Sequence, residues 1–142
     1  MLHIRDYIVM VRSLVGCRYA HAGRSRDGVD CVGVVVLPLN EMGIYPPDES
    51  NYSREAFDHT LAAEIGRRAD AIDPQHRAAG DIVLFWCNRR TRMPQHVAVM
   101  VSPEEIVHAY MPVGRVVECP IGNWARRITH VFRIPPTMLA RT

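Results

Sequence analysis

The chain has 142 residues, 48% hydrophobic and 23% charged, with a formal net charge of +2 from 17 basic and 15 acidic residues. That length fits one domain able to bury about two thirds of its extended-chain surface, so no disulfide or metal staple is required. The charge balance is too even to argue for a nucleic-acid partner, and no apolar run approaches the ~18 residues of a membrane helix.

In chain order, Ile4, Ile8, Val11 and Val15 fall on one face of a predicted amphipathic helix over about residues 3–14. The start, Met1 to Asp6, lacks the basic stretch and apolar core of a signal peptide. Gly16 to Gly28 reads as a Gly-rich polar loop. Asp30 is suited to cap a helix carrying Cys31, Val34, Val35 and Leu37, with Pro38 in its path. The β-branched run Val34-Val35-Val36 would also suit a buried strand. Pro46-Pro47 marks a turn, and residues 54–69 predict a second amphipathic helix with Phe57, Leu61 and Ile65 inward.

The second half reads as strands. Gly80-Asp81 is a turn before a buried strand, Ile82 to Trp86, and Asn88 to Pro94 is an Arg-rich loop. His96 opens the run Val97 to Val101, a turn follows at Ser102 to Glu105, and His108 closes the run that starts at Ile106. Pro112 to Gly114 turns the chain into Arg115 to Cys119, and a last strand covers about 129–134. Helices followed by an antiparallel meander give an α+β fold. One domain is expected over residues 1–134, with 135–142 a short tail after Pro135-Pro136.

Chemistry concentrates in Cys31, His96 and His108. A thiol at a helix start gains backbone N–H groups and the positive end of the helix dipole. A nearby imidazole takes its proton, and the expectation is a thiolate nucleophile at neutral pH. His108 shares strand parity with Ile106 and Tyr110. If the 96 and 108 strands pair, the two rings lie side by side and one orients the other. Taken singly, each residue also fits a buried thiol or a structural histidine. Zinc on Cys31, His96 and His108 is a further alternative, though their spacing fits no common site. Cys17, Cys87 and Cys119 form no CxxC pair and are expected to be free thiols. Tyr19 reads as a packed aromatic or as a hydroxyl near the reacting oxygen. Trp124 to Arg127 reads as a turn with a half-buried Trp or as a substrate rim.

Four segments resemble the NlpC/P60 cysteine peptidases. They are Gly16 to Gly33 around Asp30-Cys31, Gly80 to Phe85, Gln95-His96-Val97-Ala98-Val99, and Ile106-Val107-His108-Ala109. Together they span about residues 3–134 in the order of that family. The chain departs from its pattern at Ala22, Val29, Val32 and Ala98, where the family carries Gly, an aromatic, Ser and Gly. Leu39 to Pro47 and Asn51-Tyr52-Ser53, with Trp124 and Arg127, resemble the branch found in phage tails and gene transfer agents.

The resemblance implies a papain-like fold, with N-terminal helices packed on an antiparallel sheet. It implies cleavage of peptidoglycan stem peptides by Cys31 as nucleophile, His96 as base and His108 as orienting residue. Tyr19 and Asp30 are then the oxyanion or substrate residues, and neither a cofactor nor a metal is implied. The expected partners are the peptidoglycan peptide and tail-tip or baseplate proteins, with no nucleic acid and no membrane insertion. The expected place is a particle tail, made in the bacterial cytoplasm and delivered without a signal peptide. A tail module of weak turnover and another papain-like amidase remain as alternatives.

Overall fold

The computed structural model describes residues 3–46 and 59–139. The first helix, α1 (Ile4–Arg12), is started by His3 and Asp6: the His3 N–H donates to Asp6 Oδ2 at 2.7 Å. Its buried stripe is Tyr7 and Val11, continued by Leu14 in the following turn. Ile4 and Ile8 pack at the edge, and Val15 is 44% exposed. The sequence pattern therefore sets the inward face slightly off. Tyr7 moves inward because its hydroxyl finds a buried acceptor, the Val35 carbonyl at 2.9 Å.

A small hairpin, β1 (Arg24–Ser25) and β2 (Gly28–Val29), leads into α2 (Cys31–Glu41). Cys31 and every residue from Gly33 to Leu39 are buried on α2. Pro38 does not end this helix, because burial on all sides offsets the one hydrogen bond that its ring removes. The helix end is tied to the hairpin by Arg26, whose guanidinium donates to both Glu41 oxygens at 2.8 Å. The next helix, α3 (His59–Gly66), falls within the predicted 54–69 segment and ends three residues before Ala69. The stretch containing Phe57 lies outside the described residues, and Ile65 packs on the core.

Six strands form one antiparallel sheet: β3 (Asp70–Ile72), β4 (Ile82–Trp86), β5 (Pro94–Ser102), β6 (Glu105–Tyr110), β7 (Arg115–Pro120) and β8 (Ile128–Arg133). Their order is β3-β8-β4-β5-β6-β7. The predicted meander holds for β4 to β7. The last strand does not extend it, but returns to pair with β4, so β4 and β5 become the central strands. The β3 edge strand has no clear apolar pattern in the sequence.

Two apolar layers cover the sheet. Ile82, Leu84, Val97, Val99 and Val107 face the helices, whereas Val83, Phe85, Ala98, Met100 and Ile106 face the other side. The second side is closed by Ile121 and Trp124 from the stretch before β8. Asp81 and Arg133 pin β4 to β8 through a two-pronged contact, both bonds at 2.9 Å. Pro135-Pro136 does not end the ordered fold. Residues Pro136–Leu139 make one more helical turn, α4, and Leu139 is buried in the helix-side core.

Candidate active site

Cys31 is the first residue of α2, and Asp30 caps the helix in front of it. Asp30 Oδ1 accepts from the Gly33 N–H at 2.8 Å and from Arg24 Nη1 at 2.8 Å. Its Oδ2 accepts from the Ala22 N–H at 2.9 Å. At 1% exposure, with these bonds made inside the protein, Asp30 holds the helix start and the Gly-rich loop together.

That loop packs with little room. A Cβ on Gly33 would lie 2.5 Å from the Gly23 carbonyl, and one on Gly23 would run into the Gly28 carbonyl. Ala22 takes the left-handed conformation at φ 57. It stands where the resembling motif carries Gly, and the geometry there is one that Gly adopts without cost. Tyr19 lies at the foot of the loop, in a parallel bridge with Val29 and packed on the core.

The Cys31 sulfur is reached by the backbone N–H groups of Val32 and of Val97, the residue next to His96 on β5. His96 pairs across the sheet with Phe85, beside a register shift between Phe85 and Trp86. His108 stands on β6, and Val99 opposite Val107 sets the two strands so that both imidazoles share one face. Their ring nitrogens meet: His96 Nε2 is 2.6 Å from His108 Nδ1. This contact engages Nε2 of His96 and does not use its Nδ1.

Trp124 encloses the pair. Its ring lies 5.3 Å from His96, 5.7 Å from His108, 5.1 Å from Phe85 and 5.9 Å from Tyr110. The Arg127 guanidinium sits between Trp124, at 5.5 Å, and Trp86, at 5.1 Å. On the far side of His108, Nε2 is 3.6 Å from Cys119 Sγ. The strand parity read from the sequence brings Tyr110 beside both histidines, its ring 5.2 Å from His108 and 6.4 Å from His96, whereas sequence reasoning missed Cys119 as a neighbour. Cys119 required the β6–β7 register, in which His108 faces Val117.

Burial decides the charges. Cys31 is 4% exposed, His96 8% and His108 1%. Burial first, and the Asp30 charge second, push the Cys31 thiol up to about 12, against smaller help from the Val97 and Val32 amides and Arg24. Burial pushes His96 down to about 3, aided by His108, and His108 down to about 4. Burial thus favours the neutral thiol and the neutral imidazoles, a direction opposite to the preformed thiolate expected from the helix start and the histidines.

Among the described residues, no group of three or more His, Cys, Asp or Glu is placed to hold a metal ion. The four cysteines are free thiols. No helix among the described residues is long and apolar enough to cross a membrane.

The NlpC/P60 family model matches residues 16–133. An NlpC/P60 family protein from Bacillus cereus superposes with a TM-score of 0.75 at 22% identity, covering 95% of this chain and 41% of that one. The NlpC/P60 domain of the peptidoglycan hydrolase SagA gives 0.69 at 18% identity, covering 94% and 100%. The peptidoglycan hydrolase RipB from Mycobacterium tuberculosis gives 0.66 at 19% identity, covering 92% and 64%. The chain therefore spans less than half of the Bacillus cereus protein and all of the SagA domain. No curated protein sequence matches the chain.

Proposed function

The chain belongs to the NlpC/P60 family, and we propose that it is a cysteine peptidase cutting peptide bonds in peptidoglycan stem peptides. The observation that carries this reading is the placement of Cys31. It heads a buried helix, against the backbone beside a histidine whose other nitrogen is locked to a second histidine. SagA and RipB, called peptidoglycan hydrolases, share the fold and support the choice of substrate.

Cys31 Sγ attacks the carbonyl carbon as its proton passes to His96 Nδ1. Because thiol and imidazole rest neutral, transfer and attack go together. The developing oxyanion is held at the start of α2, where backbone N–H groups converge, with the Tyr19 hydroxyl as a further donor. His96 then returns the proton to the leaving amine, a thioester remains on Cys31, and water attacks it with His96 again as base. His108 keeps the His96 ring oriented. Asp30 acts beneath the site, through the helix cap. Digestion of purified sacculi, followed by mass spectrometry of the fragments, tests the activity. Release of stem-peptide fragments by the wild type and none by Cys31→Ala is the expected result.

The place of action is the second part of the proposal. The likeness of Leu39 to Pro47, of Asn51-Tyr52-Ser53 and of Trp124 and Arg127 to the tail branch supports a component of a phage-type tail, carried to the wall and opening it locally. Particles bearing Cys31→Ala should assemble and adsorb normally but deliver DNA poorly to cells with intact walls. Failure to assemble would make the role structural. One observation favours such a weak-turnover tail module: the 4% exposure of Cys31 leaves little thiol open to solvent. Hydrolysis of other acylated amines, without sacculus digestion, would instead mark a papain-like amidase.

A further inference from the structure

Both nitrogens of His108 are engaged. Nδ1 meets His96 Nε2 at 2.6 Å, and Nε2 meets Cys119 Sγ at 3.6 Å, within the reach of an N–H to sulfur hydrogen bond. Cys119 stands two residues beyond Val117, the β7 partner of His108. The result is one chain of contacts from His96 through His108 to Cys119.

We propose that Cys119 is a positioning residue that selects the tautomer of the His96–His108 pair. The inference rests on His96 acting as the base toward Cys31. A neutral imidazole has one N–H and one lone pair. To take the Cys31 proton, His96 must hold its lone pair on Nδ1 and its own proton on Nε2. That Nε2–H donates to His108 Nδ1, so the proton of His108 sits on Nε2 and donates to the Cys119 sulfur. The opposite order is incompatible with catalysis. If Cys119 donated its S–H to His108 Nε2, each proton would shift, and His96 Nδ1 would carry a hydrogen where it needs a lone pair. A sulfur is a good choice here because it is a weak donor and still an acceptor. Burial first and Glu118 second push the Cys119 thiol up, so the acceptor is a neutral sulfur. Ile106 and Val117, apolar residues beside this contact on β6 and β7, bring no rival acceptor.

The test reads tautomers directly. Two-dimensional 1H–15N spectra of the imidazoles in the whole wild-type chain should show both His96 and His108 protonated on Nε2. Cys119→Val, which removes the acceptor at similar volume, should mix the His108 tautomers and lower kcat about tenfold with KM little changed. Cys119→Ser, whose oxygen also accepts, should restore the Nε2–H form and most of the rate. A wild-type His108 protonated on Nδ1 overturns the proposal. So does a Cys119→Val protein with wild-type spectrum and kcat. If the Val variant does not fold, the wild-type and Ser spectra decide. The spectra need no substrate, so their outcome is separate from the peptidase reading, which His96→Ala tests by activity.

Discussion

His96 Nε2 and His108 Nδ1 lie 2.6 Å apart, with the rings steeply inclined at 65°. In the proposed mechanism this contact divides the labour between two residues that look alike in the sequence. His96 is the imidazole next to Val97, whose N–H reaches the Cys31 sulfur. In that mechanism His108 acts on the reacting group only through His96, so removing His96 would lose proton transfer, whereas changing His108 would loosen its aim. His96→Ala should therefore lower kcat/KM by about 10²-fold or more. His108→Asn should keep more activity than His96→Asn, because an amide can still accept from His96 Nε2–H. Equal losses from the two Asn variants, measured on one stem-peptide substrate, would refute this division.

The buried histidines also set the acid limit of the fold. Both are held below their ordinary value of 6.5, at about 3 and about 4, chiefly by burial. The unfolded chain takes up protons below pH 6.5 that the folded chain refuses. Stability therefore falls as pH drops from 6.5 toward the folded values, by up to about 2.7 kcal/mol per pH unit when both contribute. Two units of such a slope are comparable with the whole stability of a small domain. On the alkaline side, Cys31 is raised from 9.0 to about 12, so stability falls again above pH 9. A plateau between about pH 6.5 and 9 is expected in urea midpoints. Activity should survive acid down to the point of unfolding, because the base stays neutral there. A kcat/KM that halves near pH 6.5 while Trp fluorescence stays native would contradict this.

The loop beneath the nucleophile offers two opposite effects on stability. Gly33→Ala places a Cβ 2.5 Å from the Gly23 carbonyl, two residues from Cys31. Backbone must move, at a cost of about 1–3 kcal/mol, and activity should fall with it because the helix start is displaced. Ala22 already spends strain at φ 57. Ala22→Gly relieves a left-handed cost of about 1–2 kcal/mol against a smaller entropic loss of about 0.5–1 kcal/mol in the unfolded chain. A modest rise in melting temperature is expected, with activity kept. Both changes are read by thermal unfolding, and the same sign for the two would show that loop packing is not the controlling factor.

Much of this architecture is legible in the residues. β4, β5 and β6 are β-branched runs bounded by Gly80, Pro94, Pro103 and Pro112, and local chemistry fixes them. Asp30 before Cys31 signals the helix start for the same reason. What escapes is long-range. Nothing near Ile128 says that β8 must return to β4 rather than extend beyond β7. Pro38 stops a helix by local rules, yet α2 runs on because of its surroundings. Leu139 looks like the middle of a tail until its burial is seen. The charge state of Cys31 is the clearest case. A helix start and two histidines argue for a thiolate, and only the packed structure shows how little water remains to support one.

That last difference gives a direct measurement. A thiol near 12 is ionised about 10³-fold less at pH 8 than an ordinary cysteine thiol, and only the thiolate is alkylated rapidly. Cys87 is exposed, and although burial raises it too, Arg127 works in the other direction. In the native protein at pH 8, iodoacetamide should label Cys87 first and Cys31 at least about tenfold more slowly. In urea the two should converge, because the burial that separates them is gone. Sluggish alkylation is compatible with turnover by the proposed mechanism, in which His96 removes the thiol proton only as Sγ meets a bound carbonyl. The combination to look for is an active protein whose nucleophile resists a small alkylating agent. Rapid labelling of Cys31 at pH 6 would restore the preformed thiolate and overturn the neutral resting state.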